Sequence, residues 1–146
     1  GIEIVYPGEK SDSTYAKKQI KSLIDLIIFL KKKYNIKNNR ILGHSDIAPL
    51  RKIDPGKFFP WEELDKFSLG IWVKTKKNNT ELNKDEYLKF LKNLKKIGYG
   101  YISNKINNKK IIDSFHRHHL PSLTGCPPTL SSLFKSQDIL NLKKID

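Results

Sequence analysis

The sequence predicts an α/β fold in its first half followed by a small helical module, and three observations carry that reading. Residues 1–6 alternate in character and residues 40–43 read as a second brief strand leading into His44, with one long amphipathic segment between them. Beyond residue 83 the pattern changes to short amphipathic segments with their own start and stop signals. A polar stretch holding Asn78 and Asn79 separates the two regimes.

Taken in order, residues 1–6 read as a short strand ending at the Pro7-Gly8 turn. A helix is predicted from about Thr14 to Tyr34, with Ala16, Ile20, Leu23, Ile24, Ile27 and Leu30 spaced along one face. Lys31, Lys32 and Lys33 fall in its last turn, where cations complement the helix dipole. Residues 40–43 read as a brief strand, Trp61 to Phe67 as a short helix and Leu69 to Val73 as a connector. Asn83 with Glu86 three residues later is a helix-start pair. The helix after it carries Tyr87, Leu88, Leu91, Leu94 and Ile97 on one face, and Gly98 stops it. A second helix is predicted from about Asn108 to His118, with Ile111, Ile112 and Phe115 inward. Two short ones follow, near Thr129 to Phe134 and Asp138 to Leu142. The division expected is 1–72, a linker at 73–82 and a helical module at 83–146.

The chemistry concentrates in Gly43-His44-Ser45-Asp46-Ile47-Ala48-Pro49-Leu50-Arg51-Lys52-Ile53-Asp54-Pro55-Gly56. His44 and Asp54 lie ten residues apart, with Lys52 two before the carboxylate. Imidazole nitrogen and carboxylate oxygen are both zinc donors. Pro49, Pro55 and Gly56 disfavour a continuous helix and favour a loop that folds back on itself. Such a loop could bring both donors to one ion. By themselves the residues leave two readings open, a metal site or a hydrogen-bonded loop histidine with Asp54 capping a turn.

The exact run resembles a known family. GHSDIAP, then RK-x-DPG, then Phe58-Phe59-Pro60-Trp61, is similar to the zinc-dependent N-acetylmuramoyl-L-alanine amidases of the AmpD/AmiD type. Gly1-Ile2-Glu3-Ile4 resembles the family's strand that carries a catalytic glutamate, and the helix holding Gln19 fits its connecting helix. Leu50 and Ile53 stand where the family usually has glycine and threonine. The likeness covers roughly residues 1–72. It implies the C-terminal portion of an amidase mixed-sheet domain flanked by helices. It also implies Zn2+ as cofactor, held by His44, Asp54 and a further His that the family places well before the glutamate. Glu3 would be the general base, Lys52 the oxyanion-stabilising cation, and Phe58 and Phe59 a wall of the substrate groove.

The implied reaction cleaves the amide between the lactyl group of N-acetylmuramic acid and L-alanine, in peptidoglycan or muropeptides. Gly1 lies two residues before Glu3 and the chain contains no Met, so a fragment, a processed product or one piece of a split protein is expected. The missing ligand could then come from a companion chain carrying the N-terminal segment. The alternative function is a catalytically inactive wall-binding or regulatory fragment. The run Ile112-Asp113-Ser114-Phe115-His116-Arg117-His118-His119-Leu120-Pro121 resembles the three-helix peptidoglycan-binding-type module attached to AmiD-type enzymes. The family's Gly-x-x-Asp-x-x-Thr segment is eroded there to Gly125-Cys126-Pro127-Pro128-Thr129.

Composition excludes more than it assigns. A net charge of +13 invites a polyanion partner, yet the lysines are spread through every segment among Asn and Ile, with no nucleic-acid recognition motif. No nucleic-acid partner is expected; an anionic cell wall suits the charge better. No apolar run reaches the roughly 18–20 residues that span a bilayer. The single Cys126 excludes an internal disulfide. His116, His118, His119 and Cys126 match no standard zinc spacing, so the three histidines are expected to pack or face solvent. The expected compartment is the bacterial cell envelope or periplasm, with the cytoplasm as the alternative.

Overall fold

A computed structural model describes residues 1–8 and 14–142; the last four residues of the expected module, 143–146, lie outside the described residues. Among the described residues six α-helices carry the fold: α1 (Lys17–Tyr34), α2 (His44–Ile47), α3 (Trp61–Asp65), α4 (Lys84–Ile97), α5 (Lys105–His119) and α6 (Leu130–Leu142). The expected mixed sheet does not form among the described residues. Among the described residues no strand forms, and a single antiparallel bridge pairs Glu81 with Thr129.

The physical reason lies in pairing. A strand exists only as part of a ladder, and the two stretches read as strands do not pair with each other. Residues 1–8 carry no regular structure; Val5 offers its carbonyl to the Gln19 side chain at 2.7 Å instead. Residues 38–40 form a 3-10 turn, and Ile41 and Gly43 are extended but unladdered. The strand reading of 1–6 and 40–43, and with it the α/β class, is therefore corrected to an all-helical architecture.

Two apolar clusters organise the chain. The first gathers Tyr15, Ile20, Leu23, Ile24, Phe59, Trp61, Leu64 and Leu69. It takes the face predicted for α1, except that Tyr15 is buried while Ala16, the residue before the first turn, is exposed. Lys31 in the last turn reaches back to the Ser68 carbonyl at 2.8 Å. The second cluster joins α4, α5 and α6 through Phe90, Leu91, Leu94, Ile111, Ile112, Phe115, Leu133 and Ile139. Here the α4 face is rotated from expectation: Phe90 is fully buried and Leu88 is more than half exposed.

Local signals explain the helix ends. Asn83 accepts from the Glu86 N–H at 3.0 Å while the Glu86 carboxylate accepts from the Asn83 N–H at 2.9 Å, so two orphan donors of α4 are satisfied reciprocally. Gly98 ends α4 at φ +130, where a side chain is disfavoured. The two short helices expected near 129–142 are one continuous α6. Its small residues are the cause: Ser132 and Ser136 are fully buried, and Asn93 on α4 donates to Ser136 Oγ at 2.9 Å. What reads as a polar interruption is a close-packed helix face.

The 73–82 stretch is laid along α6. Asn78 N–H donates to Ser131 Oγ at 2.7 Å, Ser131 N–H to Asn78 O at 3.0 Å, and Thr75 Oγ1 to Asp138 Oδ2 at 2.7 Å. Lys135 Nζ donates to the Val73 carbonyl and sits 4.6 Å from the centre of the Trp72 ring. Leu50, Ile71 and Val73 pack against the second cluster, so the 44–56 loop touches both cores. Among the described residues no helix is long and apolar enough to cross a membrane.

Candidate metal and catalytic site

The loop folds back as its turn residues require. Ser45 N–H donates to the Asp54 carbonyl at 2.9 Å, and Arg51 and Lys52 N–H groups donate to Ala48 O at 3.1 and 3.0 Å. The Asp54–Pro55 peptide is cis. Tyr15 OH donates to Pro55 O at 2.7 Å, tying the loop to the start of α1. This closure sets His44 Nδ1 3.0 Å from Asp54 Oδ2, with both side chains about half exposed. The two predicted zinc donors therefore face one another in a solvent-accessible place.

The other predicted residues are placed less closely. Lys52 is half-buried on the same loop, two residues from Asp54. Glu3 is exposed on the irregular segment 1–8. Among the described residues no three His, Cys, Asp or Glu side chains converge, so Glu3 does not join the pair as a third metal donor. Phe58 is half-buried, with Lys57 Nζ 5.0 Å from its ring centre, and shares a hollow of about 270 Å3 with Pro121, Ser122 and Thr124. Phe59 is instead buried, its ring edge-on to Tyr15 and Trp61 at 5.3 and 4.7 Å. It packs the first core.

Sequence reasoning passed over a buried polar assembly centred on Asp46. Asp46 is buried, two residues after His44. Its Oδ2 accepts from Gly43 N–H at 2.8 Å and from His118 Nδ1 at 2.7 Å, and its Oδ1 accepts from Tyr99 OH at 2.7 Å. Burial acts to raise the Asp46 carboxyl, but the charge on His118 and the hydrogen bonds from His118, Tyr99 and Gly43 outweigh it and hold the group below 3.8. Burial, then the Asp46 charge and its hydrogen bond, push the Tyr99 hydroxyl well above 10. The His118 ring is stacked between Trp61 at 3.8 Å and His119 at 3.9 Å. All three histidines of α5 are buried, as packing groups rather than surface ones. The available signal was their helical placement beside Ile111, Ile112 and Phe115.

As a metal centre the loop offers two donors of the right chemistry, imidazole nitrogen and carboxylate oxygen, already oriented toward one point. A catalytic zinc typically takes three protein ligands, so His44 and Asp54 fit part of such a shell.

Residues 1–57 match the family described as N-acetylmuramoyl-L-alanine amidase. N-acetylmuramoyl-L-alanine amidase AmiD of Escherichia coli K12 is 30% identical over 124 residues, covering 80% of this chain and 45% of that protein. The 1,6-anhydro-N-acetylmuramyl-L-alanine amidase AmpD of Haemophilus influenzae is 43% identical over 63 residues, covering 42% of this chain and 33% of its own length. Among solved structures, E. coli AmiD in complex with anhydro-N-acetylmuramic acid-L-Ala-D-gamma-Glu-L-Lys matches with a TM-score of 0.82 at 25% identity, over 91% of this chain and 55% of that one. AmpDh3 of Pseudomonas aeruginosa shares the fold, with a TM-score of 0.72 over 92% of this chain and 56% of that one. The chain is homologous to the AmpD/AmiD-type amidases, and it spans less than half the length of the curated relatives it matches. The expected companion chain finds no support among these proteins.

Proposed function

We propose that this chain serves zinc-dependent hydrolysis of the amide between N-acetylmuramic acid and L-alanine in peptidoglycan or its fragments. The observation that carries the reading is the His44 Nδ1–Asp54 Oδ2 approach at 3.0 Å, within the region matching the amidase family. His44 and Asp54 would hold Zn2+, which when bound supplies Lewis-acid polarisation and a lowered water pKa. Glu3 would accept the proton of the attacking water and return it to the leaving amine. Lys52, two residues from Asp54, would stabilise negative charge on the carbonyl oxygen, a role typically worth on the order of 10²- to 10³-fold. An anionic cell wall would suit a chain of net charge +13. The reading puts the protein at the bacterial cell envelope, with the α4–α6 part retaining it on the wall.

A second reading, an inactive wall-binding or regulatory fragment, is favoured by the convergence of only two donors among the described residues. One experiment separates them: zinc content and release of L-alanine-led peptides from peptidoglycan, for the wild type and single variants. Loss of zinc in His44→Ala and Asp54→Ala, with zinc kept but turnover lowered in Glu3→Gln and Lys52→Ala, supports the amidase reading. Retention on sacculi with neither zinc nor peptide release establishes the second.

A further inference from the structure

We infer that His118, on α5, is a positioning residue for the His44–Asp54 pair, fixing the loop from a helix more than sixty residues away in sequence. The inference rests on the reading of that pair as the functional site. His44 begins a helix of four residues, too short to hold its own shape in water. Something outside must fix it, and the structure gives a continuous path. His118 Nδ1 meets Asp46 Oδ2 at 2.7 Å, and the same oxygen holds the N–H of Gly43, the residue directly before His44. Tyr99 OH occupies the other oxygen, and Ser114 Oγ, one turn before His118 on α5, donates to Ser45 O at 2.7 Å. Gly43, Ser45 and Asp46 are thus all held, while His44 between them points out to solvent.

The path continues to the second donor, because Ser45 N–H holds the Asp54 carbonyl at 2.9 Å. His118 is itself held in place: its ring lies nearly parallel to Trp61 and His119, at 16° and 12°. Gly43 leaves no slack on the other side, since a Cβ there would meet Pro55 Cδ at 2.7 Å and Trp61 Cζ2 at 3.3 Å. The nearby hollow of about 330 Å3, bordered by Asp46, Tyr99, His118 and His119, is not a ligand site for His118, whose free Nε2 is closed off from solvent. The buried His118–Asp46 contact ties α5 directly to the loop.

The test uses the whole chain with two substitutions, His118→Asn, whose amide N–H can replace Nδ1–H, and His118→Leu, which keeps bulk without a donor. Two readouts follow: Zn2+ affinity by chelator competition, and the His44 ring resonances of the zinc-free protein by NMR, with the amide spectrum of α4–α6 as a fold control. Outer-shell partners of metal ligands typically contribute 10- to 100-fold in affinity. His118→Leu should therefore bind zinc about 10-fold or more weakly and shift or broaden the His44 ring signals, and His118→Asn should restore most of both. A folded His118→Leu variant with wild-type His44 signals and zinc affinity overturns the inference. If His118→Leu does not fold, His118→Phe, which keeps a ring stacked on Trp61 and His119 but has no donor, serves in its place, and unchanged His44 signals and zinc affinity there overturn it equally. If the wild type binds no zinc, the amidase reading fails, while the ring resonances of the zinc-free protein still decide the positioning role.

Discussion

His116 Nε2 lies 2.9 Å from Ser132 Oγ, joining α5 to α6 at a point fully closed to solvent. Burial lowers the His116 pKa from 6.5 to about 4, opposed only in part by a backbone contact at Leu123. The sign follows directly. The unfolded chain takes up a proton near pH 6.5 while the folded chain resists until about 4, so stability is present above 6.5 and is lost as pH falls between those values. At 1.36 kcal/mol per pKa unit the loss approaches about 3 kcal/mol. Urea midpoints at pH 7.5 and 4.5 should fall further for the wild type than for His116→Asn. Equal falls would show that His116 does not govern the acid limb. Asp46, held below 3.8, adds its own loss only at lower pH.

Lys135 makes the opposite kind of test at alkaline pH. It is buried under Trp72 with its ammonium on the Val73 carbonyl. Burial lowers its pKa from 10.5 to about 8, against the opposing charges of Asp138 and Glu62. Folding therefore favours the neutral amine, and stability should rise as pH climbs from about 8 toward 10.5. Comparing Tm at pH 7 and pH 9.5, the wild type should gain on Lys135→Met. A constant gap between them would mean the ammonium stays charged in place.

How much of this was legible in the residues varies with the kind of signal. The α4 start was readable because Asn83 and Glu86 act within one turn, and α1 because its apolar spacing repeats over eighteen residues. The His44–Asp54 approach was readable because a ten-residue span holding Pro49 and followed by Pro55-Gly56 has few ways to close. The strands were misread because pairing depends on a neighbour, which alternation of side chains does not supply. The Asp46–His118–Tyr99 assembly was missed for a related reason: its members lie 53 and 72 residues apart, and nothing local marks them as partners. The gap at 135–137 between the two expected helices was misread because a small polar residue such as Ser136 looks like loop until a second helix is laid on it.

Gly43 is a site where added bulk has nowhere to go. Its missing Cβ would lie 2.7 Å from Pro55 Cδ, 3.2 Å from Asp46 Oδ2 and 3.3 Å from Trp61 Cζ2. A proline ring and a buried indole cannot swing aside as a long flexible chain can. Gly43→Ala should cost about 1–3 kcal/mol, the usual range for overpacking. It should also separate His44 from Asp54, since Pro55 adjoins the carboxylate. Denaturant unfolding and the His44 ring resonances check the two halves. A variant as stable as wild type would mean the loop is looser than its contacts indicate.

Phe59 decides between a groove wall and a core. Its position three residues before Glu62 and beside Phe58 fits either from sequence, but its ring is enclosed by Tyr15 and Trp61 and the residue is only 6% exposed. Removing it leaves a cavity between the start of α1 and α3, and Phe→Ala in a core typically costs about 3–5 kcal/mol. Phe58, half-buried beside Lys57, makes no such contact with the first cluster. Phe59→Ala should therefore lower the unfolding free energy by several kcal/mol, while Phe58→Ala should cost much less. If instead Phe59→Ala is as stable as wild type and weakens only the binding of a muramoyl-peptide, the ring belongs to the substrate groove after all.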